Sequence, residues 1–207
     1  AGEKGALVTD AGTPAISDPG EELVRQCLEA GVPVTSLPGA CACITALTVS
    51  GLPTRRFCFE GFLPADKKER RQVPEGLRQE ARTILLYEAP HRLVRTLGEL
   101  QEALGDRRLT VCRELTKLHE EIWQATLAQA AERFQAEPPR GEFVLVVEGR
   151  SARELSEEKA RQWEGMSLTE HLAYYQEQGM EKKEAMKQMA RDRGCTRREI
   201  YQGLLEE

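Results

Sequence analysis

The chain has 207 residues, of which 40% are hydrophobic and 30% charged, and a formal net charge of −5. That length allows one or two domains with a real core, no apolar run nears the roughly 18 residues of a membrane helix, and no signal-peptide pattern opens the chain. The charge excludes a globally basic nucleic-acid binder but leaves room for local basic patches.

Short apolar runs at 6–9, 34–37, 57–61, 83–88, 109–114 and 143–149 read as strands. Helical patterns at 19–31, 42–51, 91–105 and 127–136 lie between most of them. This alternation predicts an α/β fold with a largely parallel sheet. The first helix has its start signal in Asp18, Pro19 and Glu21, with Asp18 as N-cap. After Gly149 the strand pattern stops. A charged linker helix at 150–166 leads to helices at 167–179, 181–194 and 196–207. Two of these open with capping boxes, Ser167-x-x-Glu170 and Thr196-x-x-Glu199. A capped helix after a short Gly-containing turn fits a helix-turn-helix unit.

The six cysteines, Cys27, Cys41, Cys43, Cys58, Cys112 and Cys195, include no Cys-x-x-Cys pair, and Cys41-x-Cys43 has no nearby His. A reducing, cytoplasmic compartment without a metal site is expected.

Chemistry concentrates where strands end. In Gly12-Thr13-Pro14-Ala15-Ile16 a glycine and a proline bend the chain sharply after an apolar run, so main-chain N–H groups can approach a polar ligand. A plain βα turn wants the same residues. Pro38-Gly39 followed by small residues leads into a buried helix, which suits either a ligand or tight helix–sheet packing. "YEAPHR" and "VCRELTKLHEE" place Glu88, His91, Arg92, Arg113, Glu114, Lys117, Glu120 and Glu121 directly after strands. Arg and Lys there can hold phosphates and a Glu can orient a hydroxyl. A surface salt-bridge network is the competing reading. "DKKERR" (66–71) and residues 182–198 are locally basic, as a phosphate-binding face or a solvated helix face would be.

Six ordered blocks, "LVTDAGTPAISDPG", "LPGACACITALTVSGLP", "FEGFLP…KKERR", "ILLYEAPHR", "VCRELTKLHEE" and "GEFVLVVEG", resemble the ribosomal RNA small subunit methyltransferase I family of the tetrapyrrole methylase superfamily. The resemblance covers residues 5–149, and the tail matches a small domain of many members. It implies two α/β domains of the tetrapyrrole methylase type, the first incomplete, plus a small all-α tail. The corresponding boundaries are 1–54, 55–150 and 151–207.

The implied function is S-adenosylmethionine-dependent methylation of a cytidine ribose 2′-hydroxyl in 16S rRNA of the 30S subunit. The implied enzyme is a cytoplasmic homodimer with no membrane or DNA partner. Cofactor residues by resemblance are Gly12, Thr13, Pro14, Ala15, Ile16, Cys41, Ala42, Tyr87, Gly141, Glu142 and Phe143. Candidates for catalysis are Glu88, Arg113, Glu114 and Glu121. Candidates for RNA contact are Arg92, Lys117, Lys67, Lys68, Arg70, Arg71, Lys187, Arg197 and Arg198.

Two departures stand out. Ala40-Cys41 replaces the family's Pro-Ser. The "PIGN" and "AEDTR"-type blocks that open family members are absent, so an N-terminally truncated chain is expected. A corrin-precursor methyltransferase and a non-enzymatic nucleic-acid-binding protein are the rival readings.

Overall fold

The computed structural model describes residues 2–207, with the side chains of 152, 156, 159 and 162 outside the description. Contacts divide the chain into two compact units, one ending at Gly149 and one running from Arg150 to Glu207.

The first unit is built on a five-stranded sheet: β1 (Phe57–Phe62), β2 (Thr83–Glu88), β3 (Arg108–Arg113), β4 (Glu121–Thr126) and β5 (Phe143–Val147). Its helices are α1 (Glu21–Glu29), α2 (Ala42–Val49), α3 (Lys67–Gly76), α4 (Pro90–Leu104) and α5 (Leu127–Ala136). The strand order is β1-β2-β5-β3-β4. Only β1 and β2 pair in parallel; β5 runs antiparallel to both β2 and β3, and β3 is antiparallel to β4. The sheet is therefore mixed, not largely parallel. The reason is β4, a strand the sequence pattern does not reveal. "EIWQAT" carries polar residues on an edge, and it returns the chain so that β5 enters in the opposite direction.

Central strands with near-continuous apolar sequence are buried on both faces. Ile84, Leu86, Val111, Leu145 and Val147 pack under α4 and α5, together with Leu93, Leu97, Leu100 and Leu127. Leu85, Cys112, Val144 and Val146 face the other way, against Cys43, Ala46 and Leu47 of α2. Burying one such leucine contributes roughly 1.5–3 kcal/mol. α4 begins with Pro90 in its first turn and stops at Gly105, whose φ of 77° suits a residue without Cβ. Thr126 and Gln129 form a capping box on α5.

Residues 6–9 and 34–37, expected as strands, form none. A strand exists only through ladder bonds to a neighbour, and among the described residues neither run has one. Their side chains stay in the open, with Val8 80% and Leu37 82% exposed. Asp18 does not cap α1 either. The N-cap is Gly20, at φ 149°, and no side chain bonds there. A Cβ on Gly20 would lie 2.6 Å from Leu7 Cδ2, which explains the glycine.

The second unit contains α6 (Ala152–Gln162), α7 (Leu168–Glu177), α8 (Lys182–Asp192) and α9 (Arg197–Glu206). Tyr175, Met186, Met189 and Ile200 form its core. Ser167 with Glu170 and Thr196 with Glu199 make the expected capping boxes, and Ser151 with Glu154 makes a third. Gly194 (φ 64°) turns the chain between α8 and α9. No helix among the described residues is long and apolar enough to cross a membrane.

Candidate active site

One end of the sheet collects the polar residues. In register, Glu88 pairs with Phe143, Phe143 with Arg113, and Arg113 with Glu121. Four strands thus deliver three of the four candidate catalytic residues to a single row. Glu121 lies between two guanidinium groups, Arg113 at 3.5 Å and Arg133 at 2.6 Å. Arg133 also lies over the Trp123 ring, 4.5 Å from its centroid, a cation–π contact that steadies the pair. Arg113 Nε is buried with no hydrogen-bond partner among the described residues. A buried donor without a partner is costly; the rest of the Arg113 side chain is partly exposed beside Glu121.

Glu114 stands at the next step of the chain, with φ 49°. It accepts a hydrogen bond from Glu142 N at 2.8 Å and pairs with Lys117 at 3.2 Å. Lys117 reaches Glu142 as well, at 2.7 Å. The Glu142 amide first, and Lys117 with it, holds the Glu114 carboxyl below its ordinary range. Gly141 (φ 83°) lets the two loops close: a Cβ there would lie 2.6 Å from Glu114 Cγ. Gly141, Glu142 and Phe143 therefore form one wall with Arg113 and Glu114.

The two small-residue turns also meet. Thr13 Oγ1 donates to Ala40 O at 2.9 Å, and Gly12 sits against the same carbonyl. Cys41 then caps α2, and Cys43 N donates to Tyr87 Oη at 3.0 Å. Burial first, and then the neighbouring Cys43, push the Tyr87 phenol well above its usual range, so it serves as a neutral acceptor. Phe59 and Phe62 pack edge-on against its ring at 4.9 and 5.6 Å. Thus Gly12, Thr13, Cys41, Ala42 and Tyr87 lie along one connected path. The Ala11 and Gly12 carbonyls accept from the Thr9 hydroxyl at 3.3 and 3.4 Å, which shapes the turn. Main-chain groups beside small side chains fit a polar cofactor such as S-adenosylmethionine. Pro14 and Ala15 are half-buried in this turn and Ile16 is exposed; Ala15 has φ 62°, rare for a residue with a side chain.

Glu88 and Arg70 correct the sequence expectation. Arg70, expected to touch RNA, is 2% exposed. It donates to Glu99 Oε2 at 2.7 Å and to Thr96 Oγ1 at 2.5 Å, and lies 3.8 Å from Glu88. Thr96 in turn donates to Glu88. The Glu88 carboxylate, expected among catalytic groups, is 1% exposed and also faces Arg92 at 3.4 Å. Arg92 donates to Leu63 O. This is a satisfied internal network: Glu88 orients, and neither Glu88 nor Arg70 is presented to a substrate. Thr96 and Arg133 were missed by sequence reasoning. Thr96 had a signal, being a polar residue on the apolar stripe of Leu93, Leu97 and Leu100. Arg133 had none, because its partners Glu121 and Trp123 lie on another element.

The other basic candidates are at the surface. Lys67, Lys68 and Arg71 are exposed on the first turns of α3, and Asp66 caps that helix through Lys68 N and Glu69 N. In the second unit Lys187, 3.9 Å from Glu184, and Arg197 and Arg198 are exposed on α8 and α9.

The profile of the family "Tetrapyrrole (Corrin/Porphyrin) Methylases" matches residues 1–131. The chain is 48% identical over 210 aligned positions to "Ribosomal RNA small subunit methyltransferase I" of Synechocystis sp., covering 100% of this chain and 72% of that protein. It is 45% identical to the Bacillus subtilis protein of the same name, over 97% of this chain and 68% of that protein. Among solved structures, the methyltransferase CobJ superposes with a TM-score of 0.51 at 21% identity, over 68% of this chain and 62% of that one, a likeness of fold. The chain belongs to the tetrapyrrole methylase family and, within it, to the ribosomal RNA small subunit methyltransferase I family.

Proposed function

We propose that the protein methylates the ribose 2′-hydroxyl of a cytidine in 16S rRNA of the 30S subunit, working in the cytoplasm as a homodimer. In this reading residues 1–54 belong to the cofactor-holding domain, 55–150 form the second methylase domain, and 151–207 the linker and tail. The observation that carries it is the row Glu88–Phe143–Arg113–Glu121, set at the same sheet end as Tyr87 and α2.

When bound, S-adenosylmethionine supplies a methyl group on a sulfonium, activated toward an oxygen nucleophile. Gly12 to Ile16, Cys41, Ala42, Tyr87 and Gly141 to Phe143 are the residues that would hold it. The task left to the protein is alignment of the hydroxyl with that methyl. In this reading the partly exposed Arg113 guanidinium, beside Glu121, takes a phosphate or hydroxyl oxygen of the nucleotide. Glu121 fixes the Arg113 fork from behind. Glu114 and Glu121 are both engaged by cations and Glu88 is enclosed. The carboxylates therefore act chiefly by orienting, and solvent water would accept the hydroxyl proton during transfer. Lys67, Lys68, Arg71 and Lys117, with Lys187, Arg197 and Arg198 in the tail, supply phosphate contacts.

The test uses the protein as the cell makes it, with undermethylated 30S subunits and methyl-labelled S-adenosylmethionine. Label is expected in an alkali-resistant dinucleotide that begins with cytidine, since a 2′-O-methyl group blocks hydrolysis of the next phosphodiester. Label on a base, or transfer to a corrin precursor in preference to rRNA, overturns the reading.

A further inference from the structure

We propose that Cys41 and Cys43 form a reversible disulfide, a modification site built into the turn that leads into α2. Their sulfur atoms lie 3.3 Å apart. Both belong to the reduced dithiol as it stands. Closing the contact to an S–S bond of about 2.05 Å requires the sulfurs to approach by little more than an ångström.

The two thiols differ in exposure. Cys41 is half-buried at the N-cap of α2 and is the more accessible of the two to an oxidant. Cys43 is buried one step inside, among Ala46, Leu47 and Leu85. Burial first, and then its contact with Cys41, push its thiol up to about 11. With hydrogen peroxide as oxidant, the Cys41 thiolate attacks one peroxide oxygen. The O–O bond breaks, water leaves after protonation, and Cys41 becomes a sulfenic acid. The Cys43 thiolate then attacks that sulfur, the S–O bond breaks, and a second water leaves. Two thiols lose two electrons and one peroxide gains them.

The same atoms are joined to the cofactor turn. Ala40 O, next to Cys41, accepts from Thr13, and Cys43 N donates to Tyr87. A disulfide across residues 41–43 rotates the Cys41 side chain toward the helix and fixes the peptide plane between these two hydrogen bonds. Bound S-adenosylhomocysteine, resting on the reading above, covers the residue 41–42 main chain and slows closure.

The test treats the full chain with hydrogen peroxide, blocks remaining thiols with N-ethylmaleimide, and weighs the tryptic peptide 26–55, which holds Cys27, Cys41 and Cys43. Wild type and Cys27→Ser are expected to lose about 2 Da reversibly and to keep Cys41 and Cys43 unblocked. Cys41→Ser and Cys43→Ser should not show this loss. Two blocked thiols at 41 and 43 in the oxidised wild type overturn the proposal, as does a 2 Da loss that persists in Cys41→Ser. In a second arm, saturating S-adenosylhomocysteine is expected to slow closure about fivefold or more. Unchanged closure in protein whose reduced form binds the probe overturns the coupling to the turn. Failure of the reduced form to bind the probe counts instead against the cofactor reading, and the first arm still decides the disulfide.

Discussion

Arg70 and Glu88, on different elements and both buried, are joined through one hydroxyl, that of Thr96, with 3.8 Å between their charged groups. Removing one partner of a buried charged network leaves the other uncompensated, at about 3–5 kcal/mol. Arg70→Ala is therefore expected to lower the unfolding free energy by about that amount, measured by urea denaturation. Thr96→Val should cost less, about 1–3 kcal/mol, because one hydroxyl is lost and both charges remain. Equal stability of Arg70→Ala and wild type would contradict the network.

Arg113 is expected to act on the reaction more than on the fold. Arg113→Lys keeps the charge and loses the planar fork. Methyl transfer to 30S subunits should fall on the order of 10–100-fold in kcat/KM while the thermal midpoint moves little. Loss of stability without loss of transfer would assign Arg113 to the scaffold.

At Gly141 the substitution by alanine meets two obstacles, a φ of 83° and a Cβ position 2.6 Å from Glu114 Cγ. A cost of about 1–2 kcal/mol from the backbone alone is expected, with displacement of Glu114 added. Gly98, whose Cβ would meet nothing within 4 Å, provides the control: Gly98→Ala in α4 should stabilise by about 0.5–1 kcal/mol. Chemical denaturation of the two variants side by side distinguishes strain from general sensitivity.

Acid should weaken the Glu80–Arg82 clamp in a defined window. Arg82 N and Nε both donate to Glu80 Oε1, at 2.8 and 2.9 Å, and the Arg82 fork holds the carboxyl at about 2 against an ordinary 4.5. A carboxyl depressed in the folded state contributes stability above its unfolded value and loses it as pH falls through the folded one. Wild type should therefore lose more stability between pH 4.5 and 2 than Glu80→Gln does. Parallel profiles of the two proteins over that range would refute the clamp.

In the second unit, His171 is buried and stacked on Trp163 with ring centroids 3.9 Å apart. Arg193 Nε donates to its Nδ1 at 3.1 Å. Burial first, and Arg193 next, hold the imidazole below its ordinary 6.5. A histidine lowered in the folded state favours the neutral form, so stability falls as pH drops below the unfolded value near 6.5. Trp163 fluorescence during denaturation at pH 7.5 and 5.5 reports this. His171→Phe should remove most of the difference.

Much of the second half of the molecule was legible in the sequence, because the signals are local. Thr196 and Glu199, or Ser167 and Glu170, are three residues apart and carry their meaning in that spacing. Apolar runs such as "TILLYE" and "FVLVV" announce strands enclosed on both faces. Residues 6–9 and 34–37 carry the same apolar signal, but strand formation depends on a neighbour, which no short window contains. β4 stayed hidden for the opposite reason: an edge strand tolerates Glu121 and Gln124, so its pattern resembles a loop. At the site, the strand-end positions were visible and the partnerships were not. Nothing around Arg70 distinguishes it from its exposed neighbours Lys68 and Arg71; only the approach of α4, carrying Thr96 and Glu99, takes it out of solvent.

The place of β5 bears on how the chain is made. This strand comes last in the sequence and central in the sheet, bonded to β2 on one side and β3 on the other. Until residues 143–147 leave the ribosome, β1 with β2 and β3 with β4 can exist only as separate two-stranded ribbons, and such ribbons are marginal in water. The apolar faces of α4 and α5 must wait on the same event. Assembly of the core is thus postponed to the arrival of five residues, and a nascent chain stalled before Phe143 presents two open strand edges to whatever lies nearby.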